Sequence, residues 1–313
     1  MRVYSEGDVN TLYRKALFDC MNNDLLSDSR VGDVFDLGPA CFELDANKFN
    51  LPCIKGRGLN PFFAIAEVAW VLGGLNELDT LQYYLKSYDD FSDDGITLNG
   101  AYGNRIRNQF GFDQLDAVVA QLIKSPNSRR AVISIYSPED LVNHTSKDIP
   151  CNISVLFKIR NNALDMTVFN RSNDVFWGIP YNFLVFQSLL YYVASKIDFK
   201  MGIQRHISDS LHLYKKDLPS VKSILDYNIG DKLEEFDPGF NVSIFNSILS
   251  NIDSINLRDY ENIEDKDIGN LFCAYRTFKD EGSVNLISSD GYVGVFDLLV
   301  KDWFQVNHSS KLI

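Results

Sequence analysis

Residues 151–182 bring together side chains that could perform chemistry. This stretch contains a thiol, a fixed cation, a hydroxyl, a carboxylate and a carboxamide, contributed by Cys151, Arg171, Ser172, Asp174 and Asn182. A cysteine thiolate is an effective nucleophile near neutral pH. The planar fork of a guanidinium suits a phosphate dianion because it forms paired, charge-assisted hydrogen bonds. The set therefore predicts a site that binds a phosphorylated, planar molecule carrying an amide.

A hairpin and a helix must position these side chains. Apolar and polar residues alternate around Asn161 and Asn162, which predicts a strand, a two-residue turn and a returning strand. After this hairpin the chain turns at Gly178 and Pro180. It then enters an apolar helix predicted over residues 183–197. The nucleophile candidate consequently lies one strand away from the cation.

Periodic segments elsewhere indicate the architecture. Helical patterns cover residues 8–23, 61–72, 77–87 and 114–124, and two more are predicted over 241–249 and 294–303. Strand patterns cover residues 40–45 and 200–214, and a short strand follows Arg129 and Arg130. Alternating strands and amphipathic helices with antiparallel hairpin signals predict an α+β protein.

Composition excludes several classes of protein. The chain has 313 residues and a formal net charge of −12, which argues against a general nucleic-acid binder. Its five cysteines show no CxxC spacing and its four histidines are scattered, so neither a disulfide framework nor a metal site is expected. The apolar runs are too short and too polar for membrane spans, and no apolar signal region is recognised. We therefore expect a cytoplasmic protein without a membrane partner.

Two features allow more than one interpretation from the residues alone. Glu67 is the only charged residue between Phe62 and Leu72, so it either occupies the narrow polar side of a helix or is buried for a functional reason. Arg129 and Arg130 are either solvated charges or ligands for an anion.

Several motifs, taken in chain order, resemble the thymidylate synthase and pyrimidine hydroxymethylase family. RSNDVFWGIPYN is similar to the block that the family spells Arg-Ser-Cys-Asp, followed by a Gly-x-Pro turn and an asparagine. Further similarities are the Pro-Cys pair at 150–151, the double arginine of NSRRAVIS, the glutamate helix in AEVAWVLGGLNELDTLQYY, the acidic loop YDDFSDDGITLNGAYG and the HLY motif at 212–214. The resemblance covers roughly residues 8–225.

The resemblance implies a fold and a division of the chain. The expected fold is a large mixed β-sheet packed with helices, paired sheet to sheet with a second copy in a homodimer that shares its active sites. A catalytic domain is expected over residues 1–225. Residues 226–313 would form a divergent C-terminal extension packed on or near that domain.

The resemblance also implies a role for each matching residue. Cys151 would be the nucleophile, Glu67 would order the water and proton relay, and Tyr102 would stand near the carbon-5 proton. Asn182 would read the pyrimidine ring, and Asp174 would contact the folate. The remaining roles are phosphate binding by Arg30, Arg171 and Ser172 with Arg129 and Arg130 from a second subunit, sugar binding by His212 and Tyr214, and folate binding by Lys55 and Tyr88.

The implied reaction is one-carbon transfer to carbon-5 of a pyrimidine deoxynucleoside monophosphate, with 5,10-methylenetetrahydrofolate as donor. Relatives acting on deoxycytidylate carry aspartate at the position of Asn182, so asparagine favours uracil. Asn152 replaces a histidine, Tyr88 replaces a tryptophan of the folate pocket, and no sealing C-terminal tail is recognisable. These departures favour deoxyuridylate hydroxymethylation, as in phage relatives, because they would admit water. The alternatives are a thymidylate synthase, a deoxycytidylate hydroxymethylase and an inactive nucleotide-binding homologue.

Overall fold

Two β-sheets and their covering helices make up the computed structural model, which describes residues 1–227, 242–282 and 295–309. The strands, in chain order, are β1 (Arg2–Tyr4), β2 (Leu26–Ser27), β3 (Val34–Asp36), β4 (Ala40–Asp45), β5 (Val132–Ser134), β6 (Asn152–Arg160), β7 (Ala163–Asn170), β8 (Asn173–Asp174), β9 (Lys200–Ser208) and β10 (Leu211–Tyr214). The larger sheet has the order β1-β4-β9-β7-β6-β5 and contains both parallel and antiparallel pairs. The expected α+β fold with a large mixed sheet is confirmed.

The helices account for most of the remaining described chain. They are α1 (Val9–Met21), α2 (Pro61–Leu72), α3 (Leu78–Tyr84), α4 (Tyr102–Arg107), α5 (Gln114–Lys124), α6 (Gly178–Ile197), α7 (Leu218–Tyr227), α8 (Ser243–Ser250), α9 (Ile252–Asn256), α10 (Lys266–Glu281) and α11 (Val295–His308). Short 3-10 turns cover Lys86–Phe91, Pro138–Leu141, Lys215–Asp217 and Tyr260–Asn262. No helix within the described ranges is long and apolar enough to cross a membrane.

The predicted hairpin is confirmed as β6 and β7. Asn161 and Asn162 have φ angles of 50° and 60°, the left-handed conformation that a tight two-residue turn requires and that asparagine tolerates. The amide of Arg171 donates to the carbonyl of Cys151 at 2.9 Å, which extends the pairing beyond the last ladder residues. The sulfur-bearing residue and the cation are therefore neighbours at the open end of the hairpin.

Two apolar helices, α2 and α6, begin at residues suited to a first helical turn. In α2 the side chain of Asn60 accepts from the amide of Phe63, and Pro61 occupies the first helical position. The helix α6 begins at Gly178, five residues before its predicted start. Pro180 fits the first turn of a helix because the amides there have no carbonyl partner within the helix, so the amide proton that proline lacks is not needed. Asn182 consequently lies on a helix rather than in a turn.

The segment predicted as one strand over 200–214 forms two strands in different sheets. β9 ends at Ser208, and β10 joins a four-stranded sheet of order β2-β3-β10-β8. In that sheet His212 is paired with Asp174 on one side and Asp36 on the other. The prediction of a single strand was wrong, and the break is what brings His212 beside the Asp174 segment.

The described helices that follow residue 242 pack against α2. Phe62 on α2 lies 4.5 Å from Tyr275 and 5.3 Å from Trp303, measured between ring centroids. The hydroxyls of Tyr84 and Tyr260 form a hydrogen bond. Helices α8 and α11 match two predicted helices, whose predicted first residues 241 and 294 lie outside the described residues, whereas α10 was not predicted. The domain division at residue 225 stays a prediction, but these helices share one apolar core with α2.

Candidate active site

Cys151 lies immediately before β6, partly exposed and next to two polar side chains. The hydroxyl of Ser172 donates to the Cys151 sulfur at 3.6 Å. The guanidinium of Arg171 donates to the carbonyls of Ile149 and Pro150 at 2.9 and 3.0 Å. Burial raises the pKa of the thiols of Cys20 and Cys53 to about 12, so these two cysteines stay protonated. Among these cysteines, Cys151 has the surroundings of a nucleophile.

A second arginine binds the same segment of backbone. The guanidinium of Arg30 donates to the carbonyls of Ser146 and Lys147 at 3.2 and 2.6 Å. The backbone carbonyls of residues 146–150, directly before Cys151, therefore bind the guanidiniums of both Arg30 and Arg171. Carbonyl oxygens hold both planar groups in fixed orientations while leaving other N–H donors for a ligand. The structure thus brings two of the predicted phosphate ligands together with the thiol and Ser172.

Arg129 and Arg130 occupy a different position. Both are exposed and lie just before β5, the edge strand of the larger sheet. Neither guanidinium forms a hydrogen bond or ion pair with another described residue. The structure does not bring them to Cys151 of the same chain.

The carboxyl of Glu67 is buried, which decides between the two interpretations of this residue. The Tyr88 hydroxyl donates to Glu67 Oε1 at 3.0 Å, whereas buried Oε2 has no hydrogen-bond partner among the described residues. Burial raises the pKa of Glu67 to about 7, although the hydrogen bond from Tyr88 lowers it. Such a carboxyl can exchange protons near neutral pH.

Tyr102 begins α4, and α4 packs against α2, the helix that carries Glu67. A Cβ atom on neighbouring Gly103 would be 2.5 Å from the Val71 carbonyl oxygen, so only glycine lets α4 approach α2 this closely. Burial raises the pKa of Tyr102 well above its ordinary value, and the nearby charges of Cys151, Asp148 and Glu67 raise it further. The hydroxyl therefore stays protonated and lies within electrostatic reach of Cys151 and Glu67.

The first turn of α6 brings Asn182 against Asn173. The Asn182 amide nitrogen donates to Asn173 Oδ1 at 3.4 Å. A Cβ at Gly178 would approach that oxygen to 3.0 Å, so glycine leaves room for the contact. The amide of Asn182 consequently keeps one N–H and its oxygen for a ligand.

Asp174 ends the short strand β8, four residues before the start of α6. Its Oδ1 accepts from the amides of Phe176 and Trp177 at 2.7 and 3.1 Å. Burial raises the pKa of this carboxyl, while the Trp177 amide and the charge of His212 lower it. No described residue donates a hydrogen bond to Oδ2. That oxygen can accept from a ligand.

His212 and Tyr214 lie on β10 with ring centroids 5.3 Å apart. Burial raises the pKa of Tyr214, and the charges of Asp174 and Cys151 add to that effect. A cavity of about 310 Å³ opens on Tyr214 and is lined by Val31, Gly32, Asp33, Tyr214, Lys215 and Lys216. It adjoins the Arg30 loop rather than Cys151.

A buried cation in the loop of Lys55 was missed from the sequence. Lys55 is exposed, with its ammonium 5.1 Å from the Tyr227 ring. Arg57 is buried, donates to the Phe176 carbonyl and the Tyr13 hydroxyl, and lies 3.8 Å over the Phe176 ring. An arginine flanked by two glycines was the available signal. No cluster of three or more potential metal ligands occurs among the residues that the structure describes.

Comparison with known proteins agrees with this arrangement. The family model described as thymidylate synthase matches residues 13–268. The deoxyuridylate hydroxymethyltransferase of Bacillus phage SP01 is 40% identical over 176 residues, which are 52% of this chain and 46% of that protein. The protein of the same name from Pseudomonas phage M6 is 34% identical over 229 residues, 72% of this chain and 65% of that protein.

The fold has a solved counterpart. The crystal structure of thymidylate synthase from phage T4 superposes with a TM-score of 0.57 and 26% identity, covering 68% of this chain and 79% of that one. The present chain spans between 46% and 65% of the length of the two hydroxymethyltransferases. From its matched residues and its fold, the chain belongs to the thymidylate synthase family.

Proposed function

We propose that this protein is a deoxyuridylate hydroxymethylase, which converts dUMP and 5,10-methylenetetrahydrofolate into 5-hydroxymethyl-dUMP. The observation that carries the proposal is the surroundings of Cys151. Its sulfur accepts a hydrogen bond from Ser172, and the carbonyls directly before it hold the guanidiniums of Arg30 and Arg171. A thiol beside two fixed guanidiniums suits covalent attack on a ring whose phosphate is bound nearby.

The Cys151 thiolate adds to carbon-6 of the uracil ring, and the electron pair of the 5,6-double bond moves onto the carbon-4 oxygen. Carbon-5 of the resulting enolate can then attack a one-carbon electrophile. Loss of the carbon-5 proton and departure of tetrahydrofolate leave an exocyclic methylene group on carbon-5, while the bond from carbon-6 to the Cys151 sulfur remains. The oxygen of Asn182 accepts from the ring N3–H, and its remaining amide N–H donates to the carbon-4 oxygen. Arg30, Arg171 and Ser172 hold the phosphate, while His212 and Tyr214 bind the sugar.

The folate fits the residues around Asp174. When bound, it supplies the one-carbon unit at the oxidation level of formaldehyde. Asp174 Oδ2 can accept from an amino group, and the Trp177 ring offers a flat apolar surface that is 46% exposed. The indole N–H of Trp177 donates to Asp217 at 3.2 Å, which fixes that ring. Tyr88 completes the wall on the Glu67 side, and Lys55 would bind the anionic tail.

Water rather than hydride is the expected final nucleophile. Tyr88 replaces the tryptophan of methylating relatives and places a hydroxyl against Glu67. A polar wall of this kind favours hydration over a dry hydride transfer. Two phage relatives named deoxyuridylate hydroxymethyltransferase support this choice. The second candidate is a thymidylate synthase, which would use the same covalent adduct and the same phosphate ligands.

The active enzyme is proposed to be a homodimer. Alternate residues of the large sheet point away from the helical core, and apolar Val3, Val132 and Ile203 on that side are 52%, 43% and 37% exposed. Exposed apolar side chains on one face of a sheet are typical of a protein interface. Arg129 and Arg130 lie at the end of the edge strand, so pairing of two such faces can carry them to the phosphate site of the other copy.

Product analysis tests the proposed reaction. The purified protein is incubated with dUMP and 5,10-methylenetetrahydrofolate, and nucleotides and folates are quantified by mass spectrometry. We expect 5-hydroxymethyl-dUMP together with tetrahydrofolate. Thymidylate formed with an equal amount of dihydrofolate would contradict the proposal in favour of the second candidate.

Loss of the thiol tests the covalent step. Cys151→Ser should still bind dUMP but lose at least about a thousandfold in turnover, because the hydroxyl is a far weaker nucleophile. Release of tritium from carbon-5 of labelled dUMP measures the early steps. Turnover retained by this variant would reject the covalent mechanism, and no tritium release by the unmodified protein would indicate an inactive nucleotide binder.

A further inference from the structure

A row of buried polar side chains crosses the large sheet next to Cys151. Asn152 on β6 is paired with Asn170 on β7, and Asn170 is paired with Ser208 on β9. Their exposed fractions are 0%, 3% and 0%. Side chains of paired residues in neighbouring strands lie side by side on the same face. We call Asn152, Asn170 and Ser208 the polar row.

The polar row contains an unusual number of unpaired atoms. Both amide atoms of Asn152, the amide oxygen of Asn170 and the hydroxyl of Ser208 are buried without a hydrogen-bond partner of good geometry among the described residues. Buried polar groups in native proteins are almost always hydrogen-bonded, to protein or to ordered water. Three neighbouring side chains with four such atoms therefore indicate a hydration site.

One end of the polar row reaches the reacting groups. The Asn152 side chain is close enough to the Tyr102 hydroxyl to lower its pKa, although the effect of burial is larger and raises it. Glu67 Oε2 is also buried and unpaired, and its charge acts on the same hydroxyl. The amide of Asn152, which follows Cys151 in the chain, and the carboxyl of Glu67 thus both act on the hydroxyl of Tyr102, and the three groups together offer donors and acceptors to a bound water.

We propose that Asn152 is the residue that holds the water nucleophile of the hydroxymethylation step, and that Asn170 and Ser208 order the water behind it. This inference rests on the proposed function. The bound water forms a bond from its oxygen to the exocyclic methylene carbon, and Glu67 takes its proton. The electron pair of the exocyclic double bond moves onto the carbon-4 oxygen. When that pair returns, the carbon–sulfur bond at carbon-6 breaks, which restores the 5,6-double bond and the Cys151 thiolate.

The role of Asn152 in holding the water can be measured with a second nucleophile that competes with water. Added 2-mercaptoethanol can attack the same methylene carbon and give a thioether, so the ratio of thioether to hydroxymethyl product reports how well water is held. Asn152→Ala should raise that ratio at least about tenfold, since the group that fixes the water is lost. Asn152→Asp, which keeps acceptors of the same size, should raise it less.

Asn256→Ala provides the matched control. Asn256 is a buried asparagine with an unpaired oxygen, and it contacts the Ala69 carbonyl from the C-terminal helices. Its loss should leave the product ratio unchanged. An unchanged ratio in Asn152→Ala would overturn the inference. Thymidylate made by the unmodified protein would instead contradict the proposed function, so the two failures are distinguishable.

Stability gives a second, activity-independent test of the hydration. Ser188 is another fully buried serine, but its hydroxyl donates to the Val185 carbonyl at 2.6 Å. If ordered water satisfies Ser208, then Ser208→Ala should lower the melting temperature in the same direction as Ser188→Ala. A raised melting temperature for Ser208→Ala alone would mean that the hydroxyl is dry and would overturn the hydration site.

Discussion

At the scale of single residues, Glu67 shows how burial prepares an acid for proton transfer near neutral pH. Its helix offers no cation, and its one described partner is the neutral hydroxyl of Tyr88. Desolvation therefore dominates and raises its pKa to about 7, while the hydrogen bond opposes the shift only partly. The same carboxyl could not serve both as acid and base at its ordinary pKa.

The raised pKa predicts how stability depends on pH. The folded protein keeps the Glu67 proton between the ordinary pKa of 4.5 and about 7, where the unfolded chain has lost it. The contribution of this group is thus fully present below pH 4.5 and is lost as the pH rises through 7. Its size is about 3 kcal/mol over that window. Glu67→Gln should therefore gain free energy of unfolding relative to the unmodified protein between pH 5 and pH 8.

Urea unfolding of both proteins at the two pH values checks this prediction. A Tyr88→Phe variant provides the control, because it removes the one opposing hydrogen bond and should move the pKa of Glu67 further upward. The expectation fails if the difference in free energy between unmodified protein and Glu67→Gln is the same at both pH values.

We also expect single atoms to decide base selection. Asn182→Asp should shift the preference towards dCMP, because a carboxyl group can pair with the ring nitrogen and amino group of cytosine. In Asn182→Asp, the carboxylate oxygen that replaces the amide nitrogen would face another oxygen, Asn173 Oδ1, so the Asn173 side chain must also rearrange. The Asn173 amide can rotate and donate through its nitrogen, which has no hydrogen-bond partner among the residues that the structure describes.

We expect the ratio of kcat/KM for dUMP to that for dCMP to fall by about ten- to hundredfold in Asn182→Asp, which corresponds to about 1–3 kcal/mol for one mispaired buried group. Steady-state kinetics with both nucleotides measures it. An unchanged ratio would mean that another residue reads the ring.

At the scale of elements, α11 holds a loop that reaches the candidate folate site. Asp302 accepts from the amides of Gly56 and Gly58, both at 2.7 Å. A Cβ at Gly58 would lie 2.7 Å from the Val306 side chain, so loop and helix are in close contact. Arg57 lies between the two glycines and supports Phe176, two residues after Asp174. The side chain of Arg57 thereby connects α11 to the segment around Asp174 that is proposed to bind the folate.

Loss of this connection should affect the folate more than the nucleotide. Asp302→Ala is expected to raise KM for 5,10-methylenetetrahydrofolate about five- to tenfold, since two charge-assisted hydrogen bonds that order the loop are removed. KM for dUMP should change less than about twofold. Asp302→Asn keeps an acceptor and should lie between the unmodified protein and the alanine variant.

Asp297→Ala is the matched control on the same helix, because Lys301, one turn away, is the one ion-pair partner of Asp297 among the described residues. Its KM values should match those of the unmodified protein. Equal effects of Asp302→Ala on both KM values would show that α11 stabilises the whole protein and does not position the loop.

At the scale of the whole molecule, the proposed homodimer makes each active site a joint product of two chains. The hairpin supplies Cys151, whereas Arg129 and Arg130 lie at the outer edge of the same sheet. A chain lacking the thiol and a chain lacking the two arginines can therefore complement each other. In the mixed dimer, one site has an intact thiol and receives intact arginines from the other chain.

Subunit mixing tests this arrangement. Cys151→Ser and the double variant Arg129→Ala, Arg130→Ala should each be inactive as pure dimers. After unfolding and refolding together at equal amounts, about a quarter of the sites should be active, because half of the dimers are mixed and each has one complete site. Light scattering confirms the mass of the dimer. A monomeric protein, or no recovery of activity on mixing, would contradict the shared site.

Local rules determined much of this protein. The turn at Asn161 and Asn162 and the helix from Pro61 to Leu72 follow from short-range preferences and appear where the sequence predicts them. The order of motifs from 8 to 225 was enough to predict the family and its fold, because those motifs combine several residue types at fixed spacing. Boundaries were less accurate, as α6 begins five residues early and the strand predicted over 200–214 is divided between two sheets.

Only the tertiary structure decided which side chains meet. Arg30 binds carbonyls 116 and 117 positions away, and Arg57 binds one 119 positions away. The burial of the Glu67 carboxyl depends on Tyr88 from another element. Such contacts arise when the apolar core closes over distant segments, and no local pattern records them, because side-chain periodicity specifies the face of an element and not its partner. The sequence therefore determined the chemical groups, and the packing of sheet and helices determined their positions.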